Sequence, residues 1–90
     1  MKVLEFIEKK ELINEFAKEM ARLQKQADKY YYIDNDKEMA DFCLIYATEL
    51  KQIASKLGIC KEMYDEAYKI YDFRNSGKSE KEVKKELLGD

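Results

Sequence analysis

The chain has 90 residues, of which 46% are hydrophobic and 40% charged, and its formal net charge is −2. That length supplies one domain, the composition is too apolar for intrinsic disorder and too charged for a membrane protein, and the charge balance lacks the basic excess of a typical nucleic-acid binder. With no proline and three glycines the chain lacks the turns a strand-rich domain needs every ~8–12 residues, so the expected class is all-α: a small antiparallel bundle, residues 1–90, with three main helices and a short C-terminal one.

The first helix is predicted from about Val3 to Tyr32. Ile13, Phe16, Met20, Leu23, Ala27 and Tyr30 follow a 3-4-3-4-3 spacing, a seam of coiled-coil type. Val3, Phe6 and Ile7 keep a helical spacing upstream, but Lys9 and Lys10 interrupt the stripe, so a separate leading turn or a bend is expected there. Asp34-Asn35-Asp36 reads as a turn. Asn35 with Glu38 has the spacing of a capping box for the second helix, and Asp34 and Asp36 are alternative caps.

The second helix runs to about Leu57. Met39, Phe42, Cys43, Tyr46, Leu50, Ile53 and Leu57 share a face that Ala40, Leu44, Ala47 and Ala54 broaden. A face that wide predicts the central helix, with neighbours on two sides. Leu57-Gly58-Ile59 has the pattern of a left-handed C-cap followed by an apolar residue that folds back. The third helix is predicted from Cys60 or Lys61 to about Phe73, with Met63, Tyr64, Ala67, Ile70 and Tyr71 inside; the short connection predicts a steep crossing with the second. Asn75-Ser76-Gly77-Lys78 is the next stop. Ser79 with Glu82 caps a short last helix that places Val83, Leu87 and Leu88 inside.

The inventory of reactive groups is thin. There is no histidine, so two cysteines alone cannot build a zinc site, and Cys60 at a helix start has no imidazole base. Cys43 lies in the run Phe42-Cys43-Leu44-Ile45 and reads as a small core residue. Gly77-Lys78-Ser79 ends like a phosphate loop, but Asp72 stands where the loop needs its first glycine. Asp34, Asp36 and Glu38 alternate like the start of a calcium loop, but Met39 and Ile45 replace its obligatory glycine and glutamate. No catalytic residue, cofactor or metal is therefore expected, and the chain is expected to be no enzyme. The first ten residues are too acidic for a signal peptide and no run approaches a membrane span. The expected location is the reducing cytoplasm, with both thiols free.

Ile53-Ala54, Leu57-Gly58-Ile59, Tyr64 and Ala67 resemble the spacing of a helix-turn-helix DNA-binding unit, with Tyr64 where a smaller aliphatic residue is usual. The resemblance spans about a fifth of the chain and implies DNA contacts from Lys61, Lys69, Arg74 and Lys78. The same outer helix face carries Glu62, Asp65 and Glu66, which would oppose phosphates, and arginine, the usual reader of guanine, is outnumbered 15 to 2 by lysine.

Two other surfaces invite a protein partner. Tyr30, Tyr31 and Tyr32 are consecutive, and with adjacent residues ~100° apart a helix cannot bury all three. Asp34, Asp36, Glu38 and Asp41, together with Glu62, Asp65 and Glu66, offer acid to a basic surface. The expected function is thus a protein-interaction module, such as an inhibitor or accessory factor of the kind an AT-rich bacterial or phage genome encodes. The alternatives are the DNA-binding regulator and a self-associating helical module whose Ile13–Tyr30 seam extends into a homodimer.

Overall fold

The computed structural model describes residues 2–74 and 77–88, with side chains from Glu8 onward. It is all helical, as the composition predicts: α1 spans Lys2–Asp28, runs into a π-helical segment at Lys29–Ile33, and is followed by α2 (Lys37–Lys56), α3 (Cys60–Ile70) and α4 (Glu80–Leu87). The helix passes through Lys9 and Lys10 unbroken. The side chains of Val3, Phe6 and Ile7, and the stop expected at Asn75 and Ser76, lie outside the described residues.

The termini follow local chemistry. Asp36, rather than Asn35, caps α2: its carboxylate accepts the Met39 N–H at 3.1 Å, while Asn35 takes a φ of +53° to turn the chain. At the other end Gly58 sits at φ +73°. Its N–H donates to the Ser55 carbonyl at 3.1 Å, and the Ile59 N–H donates to the Ala54 carbonyl at 3.0 Å. These are the paired bonds of a Schellman turn, and they swing Ile59 into the core, where it is buried. Ser79 caps α4, its hydroxyl accepting the Glu82 N–H at 3.2 Å. The α3 helix stops at Ile70 instead of reaching Phe73, because Tyr71 is extended.

The central helix is α1, not α2. It packs along both α2 and α3, whereas α2 and α3 touch each other little beyond their connecting turn. The steep α2–α3 crossing expected from the short loop is thus not a packed interface. The seam residues Met20, Leu23 and Ala27 are buried, with Ala17 and Ala21 beside them, and Ile13, Phe16 and Tyr30 are half-buried. Around Met20 and Leu23 gather Ala47 and Ala54 from α2, Ile59 from the turn, and Met63 and Ala67 from α3. Val83 and Leu87 are buried where α4 packs on the π segment, while Leu88 is exposed, as is Ile70 on α3. Among the described residues no helix is long and apolar enough to cross a membrane.

Candidate functional site: the exposed face of helix α2

Positions along α2 separate into two apolar stripes one residue apart. Ala40, Ala47 and Ala54 recur every seven residues and are buried against the rest of the molecule. Their neighbours Met39, Tyr46 and Ile53 recur with the same period, displaced by about 100° around the axis. Cys43, Leu50 and Leu57 fall between them, so Met39, Cys43, Tyr46, Leu50, Ile53 and Leu57 form a 4-3-4-3-4 seam. Tyr46 is 59% exposed, Leu57 50% and Ile53 49%; Phe42, on the flank, is 51% exposed. Met39 is exposed too, and Cys43 and Leu50 are half-buried.

Small side chains explain the choice of buried stripe. Alanines let two helix axes approach closely, and Ala47 and Ala54 share one buried core with Met20 and Leu23 of α1. Cys43, expected as a small core residue, is consequently only half-buried, and Phe42 and Leu44, expected on the packing face, are exposed, as is Ile45. Between the seam and α1 lies a groove of about 370 Å³ whose α2 wall is Tyr46, Glu49, Leu50 and Ile53 and whose α1 wall is Glu19, Arg22 and Leu23. Glu19 and Arg22 are ion-paired with each other on its rim.

The tyrosine cluster is only partly available. The π segment closes with an Asp34 N–H to Lys29 carbonyl bond of 3.1 Å, five residues apart, and the Asp36 N–H reaches the Tyr30 carbonyl at 2.8 Å. This wider turn leaves Tyr30 and Tyr32 half-buried and only Tyr31 exposed. The Tyr31 and Tyr32 rings meet edge to face with centroids 4.9 Å apart. Burial, with lesser contributions from Asp28, Tyr31 and Glu80, raises the Tyr32 hydroxyl above its ordinary pKa. Asp34, Glu38 and Asp41 are exposed, but Asp36 is engaged as a helix cap.

The outer face of α3 exposes Lys61, Glu62, Asp65 and Lys69, with Glu66 half-buried, as its sequence implies. Three of the four cations assigned to DNA contact bind carboxylates of the same chain. Lys69 pairs with Glu66 at 3.1 Å and Lys78 with Glu86 at 2.9 Å. Arg74 donates through Nε and Nη2 to both Asp72 oxygens, at 2.8 and 2.7 Å, and lies 4.6 Å from the Tyr68 ring centroid. That fork holds the Asp72 carboxyl at a pKa of about 2, and the carboxylate in turn raises the guanidinium above its usual value. Phosphate would have to compete with these pairs, and acidic Glu62 and Asp65 stand beside Lys61.

No protein-family model, curated protein or solved structure matches the chain.

Proposed function

We propose that this chain is a non-enzymatic protein-interaction module of the reducing cytoplasm, an accessory or inhibitory factor that acts by covering a surface of a protein partner, and that α2 supplies its main contact. The observation that carries this reading is the exposed seam from Met39 to Leu57. Isolated exposed apolar residues are ordinary, but a contiguous stripe of large ones along a 20-residue helix is the kind of surface that association covers. Tyr46 and Phe42 add aromatic area of the type enriched at interface centres. Tyr31 and the acids Glu62 and Asp65 are secondary contacts that steer a basic partner rather than hold it.

The non-enzymatic part of the reading is supported by the chain's chemistry. It contains no histidine to serve as a base for Cys43 or Cys60, and both thiols are free, in keeping with a reducing compartment. The test is affinity capture from the native cell with the intact chain and with a Tyr46→Ser/Ile53→Ser variant. Proteins retained by the first and lost by the second support the reading. Capture that is identical for both, or that instead disappears with Tyr31→Ala, removes α2 as the contact.

A further inference from the structure

We infer that the exposed seam of α2 binds a second copy of this chain, α2 against α2 in antiparallel orientation. This rests on the reading of α2 as the interaction surface and names its first occupant.

Self-complementarity is the main argument. In an antiparallel helix pair each position of one seam row faces a position of the other row on the partner. Here three layers form at once: Met39 opposite the partner's Leu57, Cys43 opposite its Ile53, and Tyr46 opposite its Leu50. Each layer is repeated by the two-fold symmetry, whose axis crosses the interface level with Thr48. The six layers use the whole seam, with no charged residue in any of them. Such an arrangement is isologous and closes on itself, so it yields a dimer and no fibre.

Area agrees. About half the surface of each of five or six large side chains is on the order of 500 Å² per copy, so a pair buries roughly 1,000 Å², the size at which specific interfaces begin. Among the described residues α2 packs into the core through Ala47, Ala54 and part of Leu50, which leaves Met39, Tyr46, Ile53 and Leu57 of the seam exposed. The groove of Tyr46, Leu50 and Ile53 against α1 opens beside the seam and receives the flank of the partner helix. The alternative seam on α1 is spent: Met20, Leu23 and Ala27 are already buried within the chain.

The charges make a further distinction. Glu49 flanks the seam near the axis and meets its own copy, so added salt strengthens this association slightly. A contact steered by the acidic face of α3 would weaken with salt instead.

Two experiments test the proposal. In sedimentation equilibrium the intact chain shifts toward twice the monomer mass as concentration rises, while Ile53→Glu stays monomeric with an unchanged helical circular-dichroism spectrum. A chain that is monomeric up to ~1 mM, or an Ile53→Glu variant that dimerises as well as the parent, overturns it. The second experiment reads orientation. In the antiparallel pair the two Cys43 Cα atoms lie ~15 Å apart along the axis, beyond disulfide reach. Mild oxidation of an Ile53→Cys/Cys60→Ala chain then gives a covalent dimer through Cys43 and the new thiol, whereas Cys60→Ala alone does not. Cross-linking by Cys43 alone indicates a parallel pair and refutes the antiparallel one. The affinity capture described above separates this inference from the reading beneath it. A monomeric chain that still loses its captured proteins with Tyr46→Ser/Ile53→Ser keeps the interaction surface and loses only the second copy.

Discussion

The two stripes of α2 run side by side along the same helix and have opposite fates. Ala40, Ala47 and Ala54 are buried, and Ala54 is completely inaccessible; Met39, Tyr46, Ile53 and Leu57 stand in solvent. Hydrophobicity alone would reverse that assignment, since the large residues gain about 25 cal/mol for every Å² removed from water and alanine has little to remove. Close packing decides otherwise. The bulk in the shared core comes from Met20 and Leu23 of α1 with Ile59 and Met63, and the small alanines of α2 complete it. A fold that leaves its larger apolar stripe outside is the observation on which the proposed association rests.

Substitutions on either stripe break the contrast if it is wrong. The largest effect is expected at Ala54→Leu. Three added carbons have no room in a fully buried site, and urea unfolding should show a loss of about 1–3 kcal/mol. Stability unchanged within error would mean that the alanine stripe is not packed. Next comes Gly58→Ala. A Cβ there meets no atom within 4 Å, so the cost is that of the left-handed backbone alone, about 1 kcal/mol, measurable in the same titration. A loss of several kcal/mol would show that the turn also packs tightly.

Ile53→Ser should lower monomer stability by no more than ~0.5 kcal/mol when measured at a concentration low enough to keep the chain dissociated. A larger loss would place Ile53 in the monomer core and erase the difference between the stripes.

The smallest expected effect provides a control away from α2. Asp72 has its pKa lowered from 3.8 to about 2, first by the hydrogen bond from the Arg74 side chain. A carboxyl depressed on folding stabilises the folded state above its unfolded pKa, and that contribution is lost as pH falls from near 4 toward 2. Both groups are exposed, so the change in stability is small, and the clearer readout is the carboxyl resonance of Asp72. It should titrate near pH 2 in the parent and near 4 in Arg74→Ala, with no change in association. A common midpoint in both proteins would dissolve the Asp72–Arg74 fork.

Much of the fold was legible along the chain. The 3-4 spacing from Ile13 to Tyr30 marks the buried seam of α1, and Gly58 followed by Ile59 marks the turn and the residue it buries. Ser79 marks the start of α4. The π segment was not legible, because Tyr30 to Ile33 carry no residue that distinguishes a wide turn from an ordinary one. The proposed contact surface was legible only in part. Tyr31 is exposed as three consecutive tyrosines require, but the hydrophobic pattern of α2 places its seam against neighbouring helices, where the structure leaves it exposed. The seven-residue recurrence of Ala40, Ala47 and Ala54 was the available signal, and it is faint, since alanine weighs little beside phenylalanine, isoleucine and tyrosine in any reading by hydrophobicity.

The sequence by itself determined that this protein is helical, where α2 ends and α4 begins, and that it has no histidine. These are local properties, set by propensity, by caps within a few residues, and by composition. Only the tertiary structure decided which helix is central and which of two adjacent apolar stripes turns inward. Both depend on how closely two helices approach, and that distance is set jointly by side chains far apart in the chain, those of Met20 and Leu23 on α1 and of Ala47 and Ala54 on α2, which share one core.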